Sequence, residues 1–190
     1  MRLGIIGAGH IGGTLARHFV RAVIEELGGR ARAMTAADAA RFGEVVVISI
    51  PFGRHGDLPS SGFAGKVVID TNNYYPRRDG HFPELDSDRA SSSELLQRHL
   101  AGARVVKAFN AILWSHLRDL GRPAGDPSRL GIPISGDDGQ AKRIVAGLID
   151  QIGFDAVDVG TLADGRLHQP GATIYGADLT AEQIRDRVGR

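Results

Sequence analysis

Six residues near the N-terminus, Gly7-Ala8-Gly9-His10-Ile11-Gly12, have the Gly-x-Gly-x-x-Gly spacing that brings a phosphate against a peptide backbone. Each glycine has its own task in such a turn. Gly7 permits the tight bend, Gly9 lets the backbone approach a pyrophosphate, and Gly12 lets a helix pack closely on a strand. The helix that follows would turn its unpaired N–H groups and positive dipole end toward the phosphates. The motif alone is weak, but its context is the required one. A short apolar run, Leu3 to Ile6, precedes it, and Ile11, Leu15, Phe19, Val23 and Leu27 recur at helical spacing after it. The ligand implied is a nicotinamide dinucleotide. His10, inside the turn, either touches phosphate or ribose or simply faces solvent.

An open α/β sheet binds its ligands outside the C-terminal ends of its strands, so the other candidates are found there. The run Val45 to Ile50 ends in Pro51-Phe52-Gly53, the run Val67 to Asp70 ends in Thr71-Asn72-Asn73-Tyr74-Tyr75-Pro76, and the run Val105 to Phe109 ends in Asn110-Ala111-Ile112. Asn72, Asn73 and Asn110 are amides able to bond ribose or carboxamide groups, and equally able to serve as ordinary loop and cap residues. Lys107 lies inside a strand, where a charge needs a reason: it either reaches the cleft or lies at the sheet's rim. No serine–histidine–acid set, paired acid and base, or metal-ligand cluster stands out. The sequence therefore offers no catalytic group in the proton-transfer sense and no metal site.

The elements that must position these residues alternate. Between the strand runs lie helical patterns: Leu95, Leu96 and Leu100 opened by the serines at 91–93, and Ile144 to Ile152 closed by Gly153. Ile132 to Ser135 and Ala156 to Val159 are weaker strand candidates. Asp137-Asp138 reads as a helix N-cap, and Thr180 with Gln183 as a capping box opening a terminal helix. The turn His168-Gln169-Pro170-Gly171 either approaches the acceptor site or is a structural loop. The expected fold is α/β: a Rossmann-like, doubly wound, mostly parallel sheet with a small C-terminal α/β extension. The Gly- and Pro-rich stretch 121–127 divides a dinucleotide-binding domain, 1–125, from a C-terminal subdomain, 126–190. Composition agrees: 190 residues, 42% hydrophobic, 24% charged and a net charge of +1 exclude a general nucleic-acid or acidic-membrane partner. With no cysteine, an N-terminus that reads as a strand rather than a signal peptide, and no apolar run near the ~20 residues of a membrane span, the expectation is a cytoplasmic protein.

With the strand ends assembled, the sequence resembles the deazaflavin-dependent NADP oxidoreductase family, whose members exchange hydride between NADP and coenzyme F420, an 8-hydroxy-5-deazaflavin. The resemblance rests on 4–12, 46–52, Lys66 to Pro76, Val105 to Asn110 and Pro133 to Asp138, and it continues to Gln169-Pro170-Gly171 and Tyr175-Gly176. The strings Thr-Asn-Asn-Tyr-Tyr-Pro and Lys-Ala-Phe-Asn are the more specific parts. The resemblance implies NADP(H) as cofactor, a deazaflavin or flavin as acceptor, direct transfer between stacked rings, and a homodimer. On this reading Gly7, Ala8, Gly9, His10, Ile11 and Gly12 hold the dinucleotide. Pro51, Phe52, Ala111 and Ile112 line the ring pocket together with Leu113 and Trp114, and Asn72, Asn73 and Asn110 anchor polar groups. Alternatives are an NADP-dependent reductase of another small molecule, or a dinucleotide-binding module without catalysis.

One part of the expected pattern is missing. A second strand, ending near a residue that reads the ribose, should follow the first helix. Instead Arg21-Ala22 runs straight into Val23-Ile24-Glu25-Glu26-Leu27-Gly28-Gly29, as though roughly fifteen to twenty residues were absent between Ala22 and Ile24. Three explanations stand open: a true deletion with one helix from Ile11 to Leu27, residues lost from the sequence, or a divergent protein in which Arg30 to Met34 takes the vacant edge. The NADP preference comes from the resemblance alone.

Overall fold

The computed structural model describes residues 1–7, 9, 11, 12, 14 and 34–189. The expected first helix lies mostly outside these residues, as do the junction at Ala22 to Ile24 and the segment Arg30 to Ala33. Within them, the runs that sequence marks as buried form β1 (Leu3–Ile6), β2 (Val45–Ile48), β3 (Val67–Asp70), β4 (Arg104–Lys107), β5 (Gly131–Gly136) and β6 (Asp155–Gly160). They make one sheet in the order β1-β2-β3-β4-β5-β6, parallel throughout except for the antiparallel β4–β5 pairing. With helices on both sides, this is the Rossmann-like, mostly parallel architecture expected.

Burial on both faces explains why β2, and β3 as far as Asp70, read as unbroken apolar runs: all four residues of each are buried. Val45, Val47, Val67, Ile69 and Val106 point to one side, against Val145, Leu148 and Ile149 of the helix Gly139–Gln151 and against Phe154. Val46, Ile48, Val68 and Val105 point to the other, against Ala39, Ala40, Leu96 and Leu100. Successive strand residues alternate between faces, so one run feeds two cores. The helices, in chain order, are α1 (Ala36–Phe42), α2 (Pro76–Asp79), α3 (Pro83–Asp86), α4 (Ser92–His99), α5 (Trp114–Asp119), α6 (Gly139–Gln151) and α7 (Ala181–Val188).

Their ends follow side-chain capping. Ser91 and Glu94 close a capping box on α4, Thr180 and Gln183 close another on α7, and Asp138 accepts the Ala141 N–H at the start of α6. Two strands stop sooner than their hydrophobicity suggests. β2 ends at Ile48 because the Ile50 N–H turns aside to the Asn72 side chain, and Pro51 opens a 3-10 turn over Phe52–Asp57. β4 ends at Lys107 because Phe109 adopts φ 63°, which no strand accommodates. Beyond α5, β5 and β6 continue the same sheet, and Val157, Val159, Ile174, Leu179 and Ile184 form a satellite cluster beneath α7. Among the described residues no helix is long and apolar enough to cross a membrane.

Candidate functional site

The glycine turn leaves the C-terminal end of β1, and its three glycines are not equivalent. Gly7 has φ +104°, and a Cβ there would stand 1.9 Å from the Ser49 carbonyl oxygen. A Cβ on Gly12, the second of the helical residues Ile11 and Gly12, would stand 2.2 Å from the Gly7 carbonyl oxygen and 3.1 Å from the Ser49 side chain. The protein's own backbone therefore requires both. Gly9 is different. It is exposed, and among the described residues nothing lies within 4 Å of where its Cβ would be. None of the described residues requires a glycine there; a pyrophosphate drawn onto the backbone would, since a Cβ would fill the space it needs. The turn thus fits the diphosphate of a dinucleotide. Ala8 and His10, the other two members of the expected set beside Ile11, lie outside the described residues.

Further along the same edge of the sheet, at the ends of β3 and β4, the asparagines divide their work. The Asn72 side-chain oxygen accepts the Ile50 N–H at 2.9 Å and ties the end of β2 to that of β3. Its Nδ2 is buried with no partner among the described residues. Asn73 and Asn110 pair directly across the β3 and β4 ends: Asn110 Nδ2 donates to Asn73 Oδ1 at 3.0 Å, and Asn73 Nδ2 donates to the Asn110 carbonyl at 2.8 Å. Asn110 owes its position to the left-handed conformation of Phe109, which costs about 1–2 kcal/mol in a residue with a Cβ and is held because the Phe109 ring is buried in the core.

Beneath the asparagines lies a buried polar layer that sequence reading largely missed. Lys107 is completely buried, neither open to the cleft nor at the rim. Its Nζ donates to the Asn72 carbonyl at 2.8 Å and to Ser92 Oγ at 3.1 Å, and stands 3.8 Å from Asp70. Burial pulls the Lys107 ammonium below its usual pKa, and Asp70 offsets only part of that. Asp70 in turn accepts Ser93 Oγ at 2.6 Å and the Asn72 N–H at 2.9 Å. Two serines in the first turn of α4 are therefore buried because they serve this pair. The only advance signal was a charge inside a strand.

His168, read as part of a turn, is fully buried behind Asn110. Its Nδ1 meets Asn110 Oδ1 at 3.0 Å and its Nε2 meets Ser135 Oγ at 3.0 Å. Burial first, and the Lys107 charge second, hold its pKa well below the ordinary 6.5, so the ring is neutral at physiological pH. On the outer side, Asn73 Nδ2 also reaches the Tyr175 hydroxyl at 3.3 Å, and that hydroxyl lies 2.5 Å from the Tyr75 hydroxyl. The Arg78 guanidinium sits 4.8 Å from the Tyr75 ring centre and bonds the Asn73 carbonyl. Burial and the neighbouring phenol raise the Tyr175 pKa strongly.

The expected apolar wall residues take different places. Pro51 is exposed at the end of β2. Phe52 shows no surface: it packs in a cluster with Leu85, Ala90, Tyr74 and Phe82 and stacks on His55, so it backs the loop at Tyr74 instead of presenting its ring outward. Ala111 and Ile112 line a narrow cleft with Pro133, Ile174, Asp178 and Leu179, on the side of Asn110 toward α7. Leu113 is half-exposed beside it, and Trp114 opens α5.

By sequence, the chain belongs to the family of coenzyme F420-dependent NADP oxidoreductases. Residues 20–74 match the family described as NADP oxidoreductase, coenzyme F420-dependent. The F420-dependent NADP reductase of Methanocaldococcus jannaschii is 31% identical over 137 residues, a region that is 68% of this chain; the chain spans 59% of that relative's length. In fold, a hypothetical protein, SMa0349, from Sinorhizobium meliloti superposes with a TM-score of 0.76 at 29% identity, covering 95% of each chain. A solved structure from Arthrobacter sp. FB24, provisionally named an F420-dependent NADP reductase, gives a TM-score of 0.70 at 26% identity over 87% of each chain. The Aspergillus terreus reductive aminase, at 18% identity, shares the fold alone.

Proposed function

The chain is a relative of the coenzyme F420-dependent NADP oxidoreductases in sequence and in fold, and from that premise we propose that it is an oxidoreductase moving hydride between NADP(H) and a deazaflavin or flavin-type acceptor. The observation that carries the proposal is the glycine turn. Gly7 and Gly12 are needed by the backbone, whereas Gly9 is open among the described residues, on the same C-terminal edge of the sheet as the strand ends that carry Asn73 and Asn110.

When bound, the nicotinamide supplies the hydride, and this chain's residues bind, orient and exclude water. Gly7 to Gly12 hold the pyrophosphate through backbone N–H groups at a helix N-terminus. Asn73 and Asn110, locked to each other and to His168, keep their amides at fixed positions at the strand ends. Their N–H groups are spent on each other, on the His168 carbonyl and on Tyr175, so they hold the strand ends rigid, and rigid positioning is what ring-to-ring transfer requires, because its rate depends on orientation more than on an acid or base. The preference for NADP over NAD follows the family, since the expected ribose-reading segment lies outside the described residues. A cytoplasmic location and a homodimer belong to the same reading; light scattering on the purified chain measures the latter.

Rapid mixing of the protein with NADPH and oxidised deazaflavin tests the proposal. Loss of the deazaflavin visible band, dependent on protein and matched by loss of the NADPH band, is the expected result. NADPH binding without bleaching would point to a different acceptor, and no dinucleotide binding by calorimetry would end the proposal altogether.

A further inference from the structure

The polar groups between β5 and the exposed edge of the site form a single chain whose hydrogen-bond directions can be deduced one by one. Asn110 Nδ2 faces two acceptors, the His168 carbonyl at 2.7 Å and Asn73 Oδ1 at 3.0 Å, so its amide has one orientation and its oxygen faces His168. His168 Nδ1 must then carry the proton. Its neutral ring leaves Nε2 as an acceptor, and Ser135 Oγ–H donates to it. Asn73 is fixed in the same way, because Nδ2 faces the Asn110 carbonyl and Oδ1 receives Asn110 Nδ2. The second N–H of Asn73 is directed at the Tyr175 oxygen. We assign the Tyr175 O–H to the Tyr75 oxygen, since that oxygen is the acceptor within reach of the half-buried Tyr175 hydroxyl among the described residues; the Tyr75 O–H then points away from the chain.

The side-chain-to-side-chain bonds run in one sense, Ser135 to His168 to Asn110 to Asn73 to Tyr175 to Tyr75, while the bonds to the His168 and Asn110 carbonyls brace the two amides. Aligned bonds polarise one another, so the terminal hydroxyl donates more strongly than a lone phenol. Its position suits a ligand. Ser135 and His168 are completely buried, Asn110 is 5% exposed, and Tyr75 is 37% exposed, so the chain opens to solvent at one end only. Among the described residues nothing accepts the Tyr75 O–H. The Arg78 guanidinium, its charge paired with Asp79, covers the Tyr75 ring and holds it in place. The geometry points to Tyr75 as a hydrogen-bond donor to a carbonyl or oxyanion oxygen of the ring system that exchanges hydride, with Tyr175 and His168 as positioning residues behind it. This inference rests on the oxidoreductase reading above and adds a specific contact to it.

The test uses the full chain, NADPH and the oxidised 8-hydroxy-5-deazaflavin as probes, with affinities from fluorescence titration and the visible spectrum of the bound deazaflavin. Tyr75→Phe keeps the ring, its contact with Arg78 and the fold, and removes only the donor. The expected result is deazaflavin affinity lowered about tenfold, loss of the band shift seen when wild type binds, and NADPH affinity within about twofold of wild type. Tyr175→Phe should lower deazaflavin affinity by a smaller factor, because Tyr75 keeps its own hydroxyl and loses the bond that aligns it. If wild type binds the deazaflavin and Tyr75→Phe matches it in affinity and spectrum, the inference is overturned and the oxidoreductase reading stands. If wild type binds NADPH but no deazaflavin, the acceptor assignment fails and this contact fails with it.

Discussion

The distinction between the glycines of the turn makes a two-sided prediction. In Gly12→Ala the new Cβ would lie 2.2 Å from the Gly7 carbonyl oxygen, about 1 Å inside the closest distance a carbon and an oxygen tolerate, and the neighbour is backbone that cannot swing aside. Overpacking of that kind costs about 1–3 kcal/mol. At this chain length that is a fall in Tm of roughly 3–10 °C. Gly9→Ala meets nothing within 4 Å among the described residues, and the Gly9 φ lies outside the left-handed region, so the folded state accepts it without strain. Stability should be unchanged, or raised by up to about 1 kcal/mol as the unfolded chain loses freedom. Binding should respond in the opposite way. A methyl group on the face where the pyrophosphate meets the backbone displaces at least one charge-assisted hydrogen bond of about 1.5–3 kcal/mol, a ten- to hundredfold weaker Kd for NADPH. Calorimetric titration with NADPH and a thermal melt on the same preparation read both quantities. Gly9→Ala binding NADPH as tightly as wild type would refute the reasoning, whatever its Tm.

Three further outcomes follow from the buried layer. Lys107→Met leaves Asp70 buried without its countercharge and should cost about 3–5 kcal/mol in urea unfolding, with Asp70→Asn added to it recovering part of the loss. Because the folded pKa of His168 lies well below 6.5 while the unfolded one does not, only the unfolded chain takes up this proton as pH falls. Stability from this group is therefore intact above pH 6.5 and falls as the pH drops below it. His168→Asn should be less stable at neutral pH yet flatter in its dependence on acid pH, and an unchanged pH profile would contradict the assignment. At position 109, Phe109→Gly should be more stable than Phe109→Ala by about 1 kcal/mol, since both lose the same packing and only glycine is relaxed at φ 63°; equal midpoints in urea would show that the strain is absent.

What sequence could reveal was set by the range over which each feature is determined. β2 and β3 are legible because a strand covered on both faces is apolar wherever no buried partner compensates a charge, and Val67–Asp70 has the ends its sequence suggests, with Asp70 paired to Lys107. Caps at Ser91, Asp138 and Thr180 were legible because each is settled within three residues. The ends at Ile50 and Phe109 were misjudged because they depend on Asn72, 22 residues away from Ile50, and on a backbone conformation that no Phe side chain advertises. The environment of His168 could not be read at all. Its partners Asn110 and Ser135 are 58 and 33 residues distant, so its burial appears only when β4 and β5 pair. Lys107 lies between these cases: a charge in a strand is a visible anomaly, but Asp70, Ser92 and Ser93 are what resolve it.

The most direct test of direct hydride transfer from NADPH to a deazaflavin follows the transferred atom. NADPH carrying deuterium at the transferable C4 position is incubated with the protein and oxidised deazaflavin in ordinary water, and the reduced deazaflavin is weighed by mass spectrometry. Transfer between rings held together on this chain predicts one deuterium per reduced deazaflavin, bound to carbon and not washed out by solvent. Reduced deazaflavin without deuterium, or labelled NADPH bound but never consumed, would contradict the account.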